Sequence, residues 1–370
     1  MFSQGLDIED GILYDIGDCK DLNIVVPNEV TIIKSKAFLR ANILSVSFTK
    51  KSKLKEIESF AFESCHKLRN IQLPERVECI GVSAFSDCDA IEYTIKNGLL
   101  YLGTESNPFL YLVGEKNCIN AKIENGSKLV KPSIFYPNLI GLCNEYLESL
   151  IIPDGVLRIP SSFCCGCKKL ERVYIPQSVE ILSWSAFRDC VSLKNLTLPD
   201  NLTKIEGRCF EGCCNLSFNV KDNLKYLGSE TNPYLYLVGT ASSSITTANI
   251  DKNCKFIGEN AFLDCCNLEN IEIPDKVIRI EDSAFKNCVK LKKITIPNGL
   301  ISIGCEVFQN CKNLESVNIP KSVIELSYRA FNKCKKITVY IEREKEYRKW
   351  SWQWNEGLDV GRWKFIDRNN

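Results

Sequence analysis

A 23-residue period dominates this chain and leaves little freedom for its fold. Ile152-Pro153, Ile175-Pro176 and Leu198-Pro199 recur at that spacing, as do Ile273-Pro274, Ile296-Pro297 and Ile319-Pro320. Cys follows each of these Pro residues by fourteen positions, at Cys167, Cys190, Cys213, Cys288, Cys311 and Cys334, and Pro74 leads to Cys88 in the same way. A fixed period of this length marks a solenoid, whose core grows by stacking unit on unit. The length agrees, since 370 residues exceed what one ordinary globular core holds.

Within a unit the pattern reads L-x-x-L-x-L-P-x-x-L-x-x-I-x-x-x-A-F-x-x-C, clearest from Leu193 through Leu196, Leu198, Leu202, Ile205 and Phe210 to Cys213. Alternation at Leu196-x-Leu198 predicts a short strand with one face inward. Pro cannot donate to a ladder and so marks the strand's end. The A-F-x-x-C stretch, as in Ala186-Phe187 to Cys190, suits a short helical turn with Phe and Cys on one side. No single coil can bury its apolar face alone. Stacking does so, at roughly 1.5–3 kcal/mol per buried Leu, Ile or Phe. About eleven coils run from Pro27 onwards, some degenerate: Lys51 stands where the second coil should have Pro, and Phe163-Cys164 replaces Ala-Phe.

Two interruptions copy each other. Leu99–Gly114 and Leu224–Gly239 agree at 12 of 16 positions. Each holds two apolar-aromatic runs around an E-x-N-P turn, which predicts a β-hairpin inserted into the stack. Such hairpins could be binding prongs; their alternating Leu and Val favour a staple that substitutes for a coil. The expected organisation is a capping hairpin over residues 1–26 and a solenoid over 27–342. The insertions fall near 97–116 and 222–241, and an aromatic cap covers 343–370. That cap holds Tyr347, Trp350, Trp352, Trp354 and Trp363, read as a lid over the last apolar coil more readily than as a ligand platform.

The unit resembles the BspA-like leucine-rich repeats, also called the Treponema pallidum class. The resemblance is carried by Ala84-Phe85, Ala186-Phe187-x-x-Cys190-x-x-Leu193, Ala261-Phe262-x-x-Cys265 and Ala284-Phe285-x-x-Cys288-x-x-Leu291. The N-P-x-L-x-L-V insertions and the pattern from Trp350 to Trp354-Asn355 also look like bacterial members of that family. The resemblance spans roughly Gly11 to Trp363. It implies a leucine-rich-repeat solenoid, a horseshoe-like right-handed superhelix of α/β type. Short parallel strands would stack coil on coil, with short helical turns and the two inserted hairpins. It implies a microbial surface or secreted location, adhesion to host proteins and no catalytic residues.

Several chemistries find no support. A net charge of +1 and a pI near 7.3 lack the basic excess of a nucleic-acid binder. No run approaches the eighteen apolar residues of a membrane span. The opening MFSQGLDIEDG lacks the basic-then-apolar layout of a secretory signal, which sets a cytoplasmic location against the one the family implies. His66, the single His, has no partner for a triad or metal cluster and reads as a solvated residue. Carboxylates such as Glu269 and Glu272 read as solvated charges. No Gly-rich phosphate loop or nucleophile elbow occurs. No catalytic residue, cofactor or metal is expected.

Twenty Cys are the unusual count. Nine share one register: Cys65, Cys88, Cys167, Cys190, Cys213, Cys265, Cys288, Cys311 and Cys334. Stacked coils place equivalent Cα atoms about 4.8 Å apart, but a disulfide needs converging Cβ atoms near 3.8 Å. A ladder of buried free thiols fits better than a disulfide framework. Zinc is the sharper rival, through Cys164-Cys165-Gly166-Cys167 and the doublets Cys213-Cys214 and Cys265-Cys266. A structural site needs four converging ligands, and here one Cys of each doublet is already explained by packing.

Strand residues pointing away from the core are expected to line one continuous face. The candidates are Asn70, Gln72, Arg172, Tyr174, Asn195, Thr197, Asn270, Glu272, Lys293, Thr295, Ser316 and Asn318. Amides, hydroxyls and mixed charges suit protein or glycan contact over small-molecule turnover, though such a face can also be merely solubilising. Three functions follow in order. The first is an adhesin-like protein binding host matrix or plasma proteins as a monomer. The second is an intracellular interaction scaffold. The third and most remote is a zinc-dependent or thiol enzyme.

Overall fold

The structure is a computed structural model that describes every residue except 1, 82, 105, 116–117, 131–145, 343–349, 352, 357–362 and 367–370. The chain divides into two compact units. The first is Met1–Lys194 with Phe210–Asn215, and the second is Asn195–Cys209 with Leu216–Asn370.

A regular coil holds two short strands. In the second unit, Asn270–Glu272 precedes Pro274 and Arg279–Ile280 follows it. First strands pair in parallel from coil to coil, with Asn270 beside Lys293, Glu272 beside Thr295, and Lys293 beside Ser316. Second strands do the same through Phe256–Ile257, Arg279–Ile280, Ser302–Ile303 and Glu325–Leu326. The Pro between them works as a corner, because its carbonyl accepts the N–H three residues on: Val277 to Pro274 at 3.0 Å, Leu300 to Pro297 at 3.1 Å and Val323 to Pro320 at 3.1 Å. Pro lacks a donor, so it ends the first strand without leaving an N–H unmet.

The expected helical turns are absent: no helix occurs among the described residues, and A-F-x-x-C runs as consecutive turns. The cause is local. The residue before Ala and the residue before Cys both take a left-handed conformation, as Ser185 (φ 55°) and Asp189 (φ 57°) do. Ser283 (55°) and Asn287 (63°) repeat the arrangement one coil after Asn260 and Asp264 (60° each). A left-handed residue stops a right-handed helix at once. The freed N–H groups then divide their work. Ala284, Lys286 and Cys288 donate within the coil to Glu281, Ser283 and Phe285, whereas Ser283, Phe285 and Asn287 donate to Cys305, Val307 and Gln309 of the next coil at 2.8–2.9 Å. A helix would direct nearly all these donors along its own axis. The turns instead join coil to coil.

Two ladders fill the core behind these turns. Phe262, Phe285, Phe308 and Phe331 stack with centroids 5.0, 5.6 and 5.4 Å apart and planes within 10°. Phe38, Phe62 and Phe85 do so in the first unit at 4.7 and 5.3 Å. The Cys ladder is more than packing. Ladder thiols donate to the Phe carbonyl of the preceding coil: Cys288 to Phe262 (3.2 Å), Cys311 to Phe285 (3.2 Å), Cys334 to Phe308 (2.9 Å) and Cys88 to Phe62 (3.0 Å), while Cys265 faces the Thr240 hydroxyl. Cys190 reaches Cys164, which holds the Phe position in its coil. A small residue with a weak donor thus meets a buried acceptor that Leu or Ala could not.

Both insertions are antiparallel. Leu99–Leu102 pairs with Thr94–Lys96 and Tyr111–Glu115, and Leu224–Leu227 pairs with Asn219–Lys221 and Tyr236–Thr240. Tyr111 and Tyr236 then start parallel pairing with the strands that follow, beside Leu129 and Phe256. The copies share their wiring. Each fully buried Tyr hydroxyl accepts a backbone N–H, Tyr101 from Glu124 (3.2 Å) and Tyr226 from Asp251 (3.1 Å). Gly103 and Gly228 lie where a Cβ would come within 2.2 Å of the Asn107 or Asn232 carbonyl oxygen. These hairpins are packed into the core.

The described ends differ from the coils. Asp7–Glu9 pairs antiparallel with Ile12–Asp15, which meets Ile32–Ile33 in parallel. At the far end Trp354 stands edge-on to Phe331 at 6.3 Å, with Trp350 and Trp363 edge-on to Trp354 in turn. Tyr347 and Trp352 lie outside the described residues.

Candidate binding face

Alternation along the first strands turns Ile271, Ile294 and Val317 into the core and leaves their neighbours outside. In the second unit one outward column therefore reads Thr247, Asn270, Lys293, Ser316, Thr338. A second holds Glu272 beside Thr295, and Asn318 beside Tyr340. Asn195 and Thr197 are exposed on the stretch before Pro199. In the first unit Asn70 lies beside Ser45 and precedes Gln72, while Arg172 lies beside Ser149 and Tyr174 beside Ile151. Eleven of the twelve candidates are exposed, and Asn318 is half-buried with its amide donating to Glu342. They do not share one sheet. Strands of the twelve fall in Asn23–Val25/Ser45–Ser47/Asn70–Ile71, in Asn120–Lys122/Ser149–Ile151/Arg172–Tyr174, and in the sheet from Thr247–Ala248 to Trp363–Phe365.

One residue the sequence reading missed belongs with them. Ile151 is 44% exposed and Tyr174 57%, and they are register neighbours, so two large apolar side chains stand together on an otherwise polar face. Ile151 stands two residues before Pro153, as Tyr174 does before Pro176 and Glu272 before Pro274. Its outward register was readable, but an apolar residue invites assignment to the core. Around the pair lie Lys122, Ser149 and Arg172, and Lys169 caps the Tyr146 ring at 5.5 Å.

Charges beside the columns are paired across coils. Lys292 and Glu269 meet at 2.9 Å, which holds the Glu269 carboxyl below its ordinary range, and Lys194 meets Glu171 at 3.2 Å. His66 Nδ1 lies 3.0 Å from Asp89 Oδ2, both exposed. On the second-strand side a buried cluster forms instead. Arg279 donates to Glu325 (2.6 Å), Ser302 (3.1 Å) and Glu281 (3.3 Å). Burial pushes the Glu281 carboxyl up to about 7, with Arg279 opposing and Asp282 adding to the rise. The coil before the second hairpin lies close by, since Lys255 donates to the Leu202 carbonyl and Lys204 faces Glu281.

Burial also pushes the thiols of Cys190, Cys213, Cys265, Cys288 and Cys311 up, Cys213 to about 12, so these five sulfurs stay protonated and poorly nucleophilic. Every described Cys is an unbonded thiol, and no group of three or more His, Cys, Asp or Glu among the described residues is placed to hold a metal ion. A cavity of about 150 Å³ beside the first hairpin is lined by Ala84, Phe85, Tyr93, Leu100, Tyr111 and Val113. Small-molecule sites usually offer roughly 300–1,000 Å³. No helix among the described residues is long and apolar enough to cross a membrane.

The family model of the BspA type leucine rich repeat region matches the chain over residues 8–109, 141–233 and 240–351, in six copies. Similar solved structures include a leucine rich cell surface protein from Faecalibacterium prausnitzii A2-165, 22% identical over 95% of this chain and 94% of that one, with a TM-score of 0.32. A leucine-rich repeat protein from Bacteroides ovatus ATCC 8483 is 22% identical over 98% and 97%, with a TM-score of 0.30. The T. pallidum leucine rich repeat protein is 22% identical over 60% of this chain and 91% of that one, with a TM-score of 0.34. At those scores the likenesses carry no further argument. No curated protein matches the chain.

Proposed function

We propose, since the chain belongs to the BspA type leucine-rich repeat family, that it is a non-enzymatic protein that binds macromolecules through the outward columns of its first strands. The supporting observation is repetition inside with variation outside. Inward positions repeat Ile, Val, Phe and Cys, whereas one outward column runs Thr247, Asn270, Lys293, Ser316, Thr338. A merely solubilising face needs only charge, while a recognition face needs particular residues at particular rungs.

The finer reading is an adhesin-like protein on a microbial surface or secreted from it, contacting host matrix or plasma proteins or their glycans as a monomer. It rests on the family. A second reading, an intracellular scaffold, is favoured by the unbonded thiols, which suit a reducing compartment. The test is binding of purified chain to immobilised matrix and plasma proteins at physiological salt, beside a variant carrying Arg172→Glu, Asn195→Glu, Asn270→Glu and Lys293→Glu. Saturable binding lost in the variant is expected. No binding anywhere on the panel sinks the adhesin reading, and binding indifferent to the variant sinks the face.

A further inference from the structure

The outward columns are not uniform, and the difference singles out one place. In the sheet of Asn120–Lys122, Ser149–Ile151 and Arg172–Tyr174, the column nearest the Pro corner reads Lys122, Ile151, Tyr174. The equivalent rungs of the second unit read Glu272 and Thr295, and the first coils place Gln72 there. A solenoid that only needed solubility would treat these positions alike. Exposed Tyr and Ile side by side cost solubility, and Tyr and Arg are the residues that carry interface energy.

Resting on the reading of these columns as a binding face, we infer that Ile151 and Tyr174 are the anchor of that face. Its occupant is an extended protein segment with a large apolar side chain flanked by carboxylates. The charge around the pair carries this choice. Lys122 and Arg172 are exposed cations on the strands of the pair, and Glu171 is the acid next to Arg172. Glu171 is already engaged by Lys194 at 3.2 Å, and its approach to Arg172 is only 3.9 Å. Lys122 has no acidic partner among the described residues. Spacing fits an extended chain. Stacked strands are about 4.8 Å apart, so Lys122 and Tyr174 are separated by about 10 Å, or three residues of extended chain at roughly 3.3 Å each. Ser149 and Asn120, already hydrogen-bonded to each other, offer backbone-matching groups in the parallel column.

The experiment selects a phage-displayed library of random 12-residue peptides on the full-length chain and measures the enriched peptides by fluorescence polarisation. Expected is a consensus with an aromatic or branched apolar residue and Asp or Glu within three positions. Its affinity should fall tenfold or more in Tyr174→Ala and in Ile151→Ser, and fall again in Lys122→Glu or Arg172→Glu. Both anchor residues are exposed, and an unchanged melting curve confirms that each variant is folded. Enriched peptides without acidic bias, or an affinity indifferent to Tyr174→Ala, overturn the inference. If binding is lost instead in Asn270→Ala or Lys293→Glu, the anchor is wrong while the face survives. If no first-strand variant matters, both fall.

Discussion

The inner and outer sides of one coil obey different rules. In the second unit the inner rung is Phe at four successive coils, stacked at 5.0–5.6 Å, and Cys288, Cys311 and Cys334 each meet the carbonyl of the Phe behind them. The outer rung over the same coils is Asn270, Lys293, Ser316 and Thr338, four residues with nothing in common but polarity. The inner side must present the same shape to the coil before and the coil after, so only one solution repeats. The outer side meets no neighbour above it and is free to differ rung by rung. Packing explains the first set, and the second is the set proposed above for recognition.

The sharpest way to break that contrast is at the ladder. Phe285→Ala removes a ring stacked on both sides and should cost about 3–5 kcal/mol, read as a fall in the urea midpoint and faster amide exchange in the coils of Phe262 and Phe308. A loss no larger than that of an exposed outer-rung change would mean the ladder is not what holds the coils.

A pH scan tests the charged cluster next. A carboxyl at its ordinary 4.5 when unfolded and about 7 when folded opposes folding fully above pH 7, and the opposition disappears below pH 4.5. Stability should therefore rise as pH falls from 8 to 5, by up to about 3 kcal/mol from this group. Glu281→Gln should flatten that slope. Glu58, Glu269 and Glu325 are held below their ordinary range, so their stabilisation is lost only below pH 4.5, outside this window. A slope unchanged by Glu281→Gln would show that the carboxyl is ionised and matched by Arg279.

The smallest expected effect separates thiol packing from thiol hydrogen bonding. Cys288→Ala should cost about 1–2 kcal/mol, while Cys288→Ser, which keeps a donor for the Phe262 carbonyl, should recover part of that. Equal losses in chemical-denaturation midpoints would reduce the ladder to space filling.

Much of this molecule was legible in its sequence because the determinants are local and repeated. Pro marks the strand end and the corner wherever it recurs, and the alternation before it sorts inward from outward residues. The two insertions declare themselves by copying one another, and the antiparallel pairing of Leu99–Leu102 with Tyr111–Glu115 follows from their alternation. The outward register was equally readable, Ile151 included, although its apolar character hid it.

What the tertiary structure alone decided involves partners a coil or more away. Phe and Cys at A-F-x-x-C have the spacing of a helical turn, yet the stretch gives up helical hydrogen bonds because the next coil supplies carbonyls for half its donors. The second strand, only two residues long, exists because parallel neighbours meet it. The Cys thiol reads as a small apolar group until a Phe carbonyl 26 residues earlier is placed 3.2 Å away. Arg279 is buried because Glu281, Ser302 and Glu325 converge on it from three coils. A period tells which residues repeat. Only the stacked coils tell what each repeated atom meets, because hydrogen bonds and burial depend on neighbours that the chain reaches after a full turn.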